Sequence, residues 1–121
     1  MKRCLIVDDS DVIRKVARVI LERMDFDVIE ANDGPNGIEL CQARGPHVVL
    51  VDWEMPGMNG LAFLQALRAA SHDQMPLIVY CTTENDPVDI GRARQAGADA
   101  VLMKPFDRAS IMAAMAEIGL S

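Results

Sequence analysis

The feature that most constrains this chain is a fivefold alternation of short apolar runs with longer segments of helical periodicity. Residues 4–7, Cys4-Leu5-Ile6-Val7, are closed by the carboxylates of Asp8 and Asp9. Val12, Ile13, Val16, Ala17 and Ile20 then recur at helical spacing, with Ser10 or Asp11 placed to cap that helix. Asp27–Ala31 predicts a second strand. A helix is expected from about Pro35, a residue suited to a first turn, to Arg44, where Gly45-Pro46 stops it. Residues 48–51 form an uninterrupted apolar run, as a strand covered on both faces should. A turn-rich stretch from Met55 to Gly60 leads to a helix reaching about Ala70, and residues 77–81 predict the fourth strand. Asp86 and Pro87 make a cap and first residue for the next helix, which Gly97 ends. Ala100–Met103 predicts the fifth strand and residues 108–118 a last amphipathic helix.

Strict alternation predicts an α/β fold, a parallel sheet with helices on both faces joined by right-handed crossovers. The 121 residues suffice for one domain spanning 1–121, with no second unit expected. A formal charge of −6 disfavours DNA, RNA and anionic lipid as partners. No apolar run approaches the roughly 20 residues of a membrane helix, and no signal peptide is visible. Cys4, Cys41 and Cys81 are far apart and set among apolar residues. That pattern predicts buried thiols in a reducing cytoplasm rather than a zinc site or a disulfide.

Parallel α/β sheets bind ligands outside the carboxyl ends of their strands. Those ends carry Asp8-Asp9, Asp52, Thr82-Thr83 and Lys104-Pro105. If the first and third strands are neighbours, as in the flavodoxin-like order 2-1-3-4-5, three carboxylates meet at one rim. Two such charges about 4 Å apart repel by about 4 kcal/mol at an effective dielectric of about 20. Either one takes up a proton or a cation sits between them, and oxygen ligands without His or Cys favour Mg²⁺. One carboxylate of such a cluster can act as a nucleophile toward phosphorus. The metal, the Lys104 ammonium and the Thr82 hydroxyl would then neutralise and orient the phosphoryl oxygens while Asp52 accepts the group. Helix capping is the competing reading of Asp8, Asp9 and Asp11, but one cap suffices and it leaves Asp52 unexplained.

Residues 5–10 (Leu-Ile-Val-Asp-Asp-Ser), 51–60 (Val-Asp-Trp-Glu-Met-Pro-Gly-Met-Asn-Gly), 81–84 (Cys-Thr-Thr-Glu), 96–98 (Ala-Gly-Ala) and 103–106 (Met-Lys-Pro-Phe) resemble the receiver domain of two-component response regulators. The likeness covers the whole chain, with no output domain, and is nearest to the stand-alone, CheY-like members. It implies a doubly wound (βα)5 sandwich and a signalling switch that is not a turnover enzyme. Asp52 would accept a phosphoryl group from the phosphohistidine of a sensor kinase or phosphotransfer protein. Asp9 would bind Mg²⁺ directly, Asp8 would assist, and the Glu54 backbone carbonyl would complete the protein ligands beside Asp52. Thr82 would swing toward the phosphoryl oxygen and Lys104 would pair with it, aimed by a cis Lys104–Pro105 bond.

Some positions depart from the family pattern. Val101 stands where an aromatic ring usually follows the threonine's movement, and Thr83 where Ala or Gly is common. Glu54 and Glu84 occupy positions that tune loss of the phosphoryl group to water. The resemblance implies a downstream target on the face of the fourth helix, fifth strand and last helix, drawn from Val88, Arg92, Val101, Ile111, Met112 and Met115. The kinase would dock on the first helix near Arg14, Lys15 and Arg18. A monomeric chemotaxis regulator is the leading expectation, with a single-domain phosphorelay shuttle as the alternative. A flavodoxin-like electron carrier would need a loop that cradles a flavin phosphate where this chain has Asp8-Asp9-Ser10-Asp11. An aspartyl phosphohydrolase would need a second Asp where Glu54 stands.

Overall fold

The computed structural model describes residues 1–70 and 74–120. The strands are β1 (Arg3–Val7), β2 (Asp27–Ala31), β3 (Val48–Asp52), β4 (Leu77–Thr82) and β5 (Ala100–Met103). Between and after them lie α1 (Asp11–Arg23), α2 (Gly34–Arg44), α3 (Gly60–Ala69), α4 (Pro87–Ala96) and α5 (Arg108–Glu117). All strand pairs are parallel, in the order β2-β1-β3-β4-β5. The expected flavodoxin-like architecture is therefore the observed one, and β1 and β3 are hydrogen-bonded neighbours.

Alternation along each strand divides the core in two, because successive side chains leave opposite faces of a sheet. Cys4, Ile6, Val48, Leu50, Val79 and Cys81 pack with Ala17 and Leu21 of α1 and Ile111, Ala114 and Met115 of α5. Leu5, Val7, Val49, Val51, Ile78 and Tyr80 face Cys41 of α2, Phe63, Leu64 and Leu67 of α3, and Ala93 of α4. The three cysteines are buried and free, and burial pushes each thiol above its ordinary pKa, Cys41 to about 12. They are packing residues, not reagents.

Helix starts and stops follow the local chemistry. Ser10, Asp33, Asn59, Asp86 and Asp107 each place a side-chain oxygen on a backbone N–H of the first turn that follows. Gly97 ends α4 at φ 118°, a left-handed conformation, and a side chain there would collide with the Arg68 guanidinium. Two strands run one residue beyond their apolar sequences. Asp52 pairs with Cys81 and Thr82 with Met103, so the ladder carries two polar side chains to the rim. No helix among the described residues is long and apolar enough to cross a membrane.

Leu50 is 1 % exposed at the centre of the α1/α5 side of the core. Leu50→Ala should cost about 2–5 kcal/mol in urea unfolding, the range for buried leucine truncations; a loss under about 1 kcal/mol would contradict the packing described.

Candidate functional site

The parallel order brings the carboxyl ends of β1, β3, β4 and β5 to one rim. Val7 is in register with Val51, so the next residues, Asp8 and Asp52, stand side by side. Lys104 follows β5, its amide donating to the Thr82 carbonyl at 2.8 Å, and the Lys104–Pro105 bond is cis. From there its side chain crosses β4 and β3. Nζ lies 2.7 Å from Asp8 Oδ2 and 3.1 Å from Asp52 Oδ1. The three side chains are only 4–11 % exposed, so this is a nearly buried ion triad.

Such a group is tolerable only because its charges and lone pairs are matched. Asp8 Oδ1 accepts from the Ser10 amide at 2.9 Å, and Asp52 Oδ1 accepts from the Glu54 amide at 3.3 Å. The Asp52 carboxyl nevertheless sits above its ordinary pKa. Burial is the main cause and the Asp8 charge adds to it, while the hydrogen bond from Lys104 pulls the other way. Burial alone would lower the Lys104 pKa. Hydrogen bonds and attraction from Asp8 and Asp52 outweigh it, and the ammonium is held above its usual range.

Asp9 adds an exposed third carboxylate. One oxygen each from Asp8, Asp9 and Asp52 lies within 4.8 Å of the others, close enough for one cation to bridge. The donor set contains oxygen only, which fits a hard divalent ion of the Mg²⁺ or Ca²⁺ class. Asp11 lies outside this cluster; it is paired with Arg14 and its side chain is 92 % exposed. Capping thus explains Ser10 and part of Asp8, but neither Asp9 nor Asp52.

Thr82 is buried, but its hydroxyl is turned away from Asp52. It lies 3.4 Å from the Glu54 carboxylate and accepts from the Glu84 amide at 3.1 Å. The Thr83 hydroxyl also reaches Glu54, at 3.5 Å. Glu54 therefore ties the loop after β3 to the loop after β4. Sequence reasoning valued Glu54 for its backbone carbonyl and for a place that tunes loss of the phosphoryl group to water; in the structure its amide meets Asp52 and its carboxylate meets Thr82 and Thr83. It also passed over Tyr80, whose ring meets Trp53 edge-on with centroids 4.3 Å apart. The available signal was that Tyr80 stands two residues before Thr82 and hence on the same strand face.

The structure sorts the candidate surface residues. Arg14 and Arg18 are not free cations. Arg14 donates to Glu30, Asp11 and the Asp8 carbonyl, and Arg18 to Glu30 and Glu22. The face α1 offers is Lys15 with the exposed Val12, Val16 and Val19. On the α4–β5–α5 face, Val88, Arg92 and Met112 are exposed and Val101 half-buried. Ile111 and Met115 are fully buried, because their α5 face packs on the sheet.

The family model described as "Response regulator receiver domain" matches residues 4–116. The chain belongs to this family. It is 33% identical over 114 residues to the "Probable chemotaxis protein CheY" of Rhizobium etli, covering 93% of this chain and 88% of that protein. It is 32% identical over 109 residues to the CAI-1 autoinducer sensor kinase/phosphatase CqsS of Vibrio cholerae, covering 88% of this chain but 16% of that one. Among solved structures, the Vibrio cholerae chemotaxis protein CheY4 superposes with a TM-score of 0.91 at 30% identity, covering 98% of both chains. The chain spans less than half the length of several curated relatives, 16% of CqsS and 45% of the transcriptional regulatory protein CseB of Streptomyces avermitilis.

Two predictions follow from the receiver's triad. Lys104→Met leaves Asp8 and Asp52 facing one another and should lower metal-free stability by about 3 kcal/mol, the cost of an orphaned buried charge. Saturating Mg²⁺ should restore part of the loss; denaturation curves that match the parent without metal would contradict the triad's role. Asp52→Asn acts in the opposite direction. A raised folded-state pKa means that ionising Asp52 costs stability, a penalty absent below the unfolded pKa and complete above the folded one. The variant should therefore melt higher than the parent at pH 7 without metal, with the difference vanishing toward acid; a lower melting temperature at pH 7 would contradict the assignment.

Proposed function

We propose that the chain is a phosphorylatable chemotaxis-type switch, phosphorylated on Asp52 by a histidine kinase or phosphotransfer protein in the cytoplasm. The observation that carries this reading is the Lys104 ammonium bridging Asp8 and Asp52 at 2.7 and 3.1 Å on an otherwise acidic rim. Likeness to chemotaxis proteins along the full chain supports the chemotaxis assignment.

The Glu54 amide and Lys104 hold Oδ1 of Asp52, which fixes the carboxylate plane and leaves Oδ2 to attack. The O–P bond forms as the P–N bond of the donor phosphohistidine breaks, and the electron pair of that bond returns to the imidazole. Asp8, Asp9, Asp52 and the Glu54 carbonyl would hold Mg²⁺, which when bound supplies charge for the phosphoryl oxygens. Lys104, kept protonated by its partners, supplies a second positive charge. Thr82 turns from Glu54 to donate to a phosphoryl oxygen. The chain catalyses only this transfer to itself and a slow hydrolysis governed at the Glu54 and Glu84 positions.

The acyl phosphate then shifts the balance between two surface states. The target meets the exposed Val88, Arg92 and Met112 beside Val101. The kinase or phosphotransfer partner meets the apolar ridge of α1 next to the rim, with the chain acting as a monomer.

Labelling from acetyl phosphate with Mg²⁺ should be abolished in Asp52→Asn, and Asp9→Ala should weaken the Mg²⁺-dependent quenching of Trp53. Parent-level label in the first variant, or an unchanged Mg²⁺ titration in the second, would refute the assignment. Onward transfer from the labelled chain to a second histidine protein would favour a phosphorelay shuttle over a chemotaxis regulator.

A further inference from the structure

Arg14 has no part in the chemistry above, yet its guanidinium joins α1, β2 and the loop that carries Asp8 and Asp9. Its side chain is 13 % exposed, and each of its three nitrogens has its own acceptor. Nη1 donates to the Asp8 carbonyl at 2.6 Å, Nε to Glu30 Oε1 at 3.1 Å, and Nη2 to the Asp11 carboxylate. Glu30 is fixed in turn, because its Oε2 accepts from Arg18 Nε at 2.6 Å. β2 ends at Ala31, whose carbonyl takes the Asp8 amide at 3.2 Å. Beyond that strand end, Arg14 is the group that holds the Asp8 carbonyl.

The contact bears on Asp9 more than on Asp8. The Asp8 side chain is already anchored by Lys104 and by the Ser10 amide. Asp9 is exposed, and its carboxylate takes its aim from the backbone it springs from. The Asp8 carbonyl and the Asp9 amide belong to one planar peptide unit, so a bond to that carbonyl sets the direction in which Asp9 leaves the chain.

We propose that Arg14 is a positioning residue for the metal: by holding the Asp8–Asp9 peptide, it keeps the Asp9 carboxylate turned toward Asp8 and Asp52. The proposal rests on the reading that the acidic rim takes Mg²⁺. Three carboxylate oxygens lie within 4.8 Å of one another although like charges repel, so other groups must gather them. Lys104 does this for Asp8 and Asp52, and Arg14 does it for Asp9 through the backbone. A cation then enters a site that is already assembled and spends little of its affinity on ordering the loop. Arginine suits the task, since a planar fork serves three acceptors in fixed directions and a flexible ammonium does not. Charge and geometry here act in opposite senses. As a cation beside the rim, Arg14 repels Mg²⁺; as a brace for Asp9, it favours Mg²⁺. Its charge is offset by Asp11 and Glu30, which leaves the brace as the larger effect.

The test compares Arg14→Lys, Arg14→Met and Arg18→Met with the parent, each checked for folding by far-ultraviolet circular dichroism. Mg²⁺ affinity is read from Trp53 fluorescence, and phosphoryl uptake from acetyl phosphate is followed across a range of Mg²⁺ concentrations. Arg14→Lys keeps the charge and loses the fork, and its Kd for Mg²⁺ should rise about tenfold, as for partners that orient metal ligands. Arg14→Met should weaken binding as well, in spite of the positive charge it removes. In both variants saturating Mg²⁺ should bring the labelling rate back to the parent's, so that the defect lies in the metal required and not in the transfer. Arg18→Met removes the same charge but leaves the bond to Asp8, and should bind Mg²⁺ as the parent does or more tightly. Parent-like affinity in Arg14→Lys, or tighter binding in Arg14→Met, overturns the proposal and leaves Arg14 a charge only. A labelling rate that stays low at saturating Mg²⁺ also overturns it. Should Arg14→Met fail to fold, Arg14→Lys decides alone. A parent without any Mg²⁺ response in fluorescence or labelling overturns the reading of the rim first, and the positioning role with it.

Discussion

The interaction on which the rest depends is the ammonium of Lys104 set between the carboxylates of Asp8 and Asp52. Without it, the neighbouring ends of β1 and β3 would press two nearly buried like charges together. With it, the rim is stable yet still short of positive charge, because Asp9 adds a third carboxylate beside the triad. A site with that imbalance favours a divalent cation, and a cation together with Lys104 favours a phosphoryl group. In the proposed function, metal binding and phosphate acceptance would thus follow from one electrostatic arrangement rather than from two separate features.

The fold's contribution is to make that arrangement cheap to hold. Parallel strands end in register, so residues far apart in the chain reach the rim through backbone hydrogen bonds alone. The helices cover both faces with apolar side chains and leave the rim as the place where polar groups gather. Thr82 and Glu54 lie just beside the triad, and the Thr82 hydroxyl meets the Glu54 carboxylate rather than Asp52. This is the contact that a charged group on Asp52 would be expected to disturb first.

Much of this was legible in the sequence because its signals are local. Apolar runs closed by Asp8, Asp52 and Lys104 mark strand ends, and Asp86-Pro87 and Gly97 mark helix limits. The two residues by which β3 and β4 outrun their apolar patterns were hidden, since Asp52 and Thr82 are held in the ladder by backbone pairing rather than by hydrophobicity. The pairing of the α1 arginines was hidden for a similar reason. Glu30, on the next strand, binds both Arg14 and Arg18, and nothing in the helix sequence reports a partner across the fold. Helical spacing also could not say which of Ile111, Met112 and Met115 faced inward; packing on the sheet buries the first and last and leaves the middle one out. Tyr80 stayed unremarked because a buried aromatic in a strand reads as core until its contact with Trp53 is seen.

The most direct measurement of the central claim is hydride trapping of the acyl phosphate after exposure to acetyl phosphate, followed by peptide sequencing. Reduction converts an aspartyl phosphate to homoserine. The account predicts homoserine at position 52 and nowhere else, formed with Mg²⁺ present and suppressed by a chelator. Homoserine at Asp8 or Asp9, or none at position 52 under conditions that modify another receiver, would contradict it.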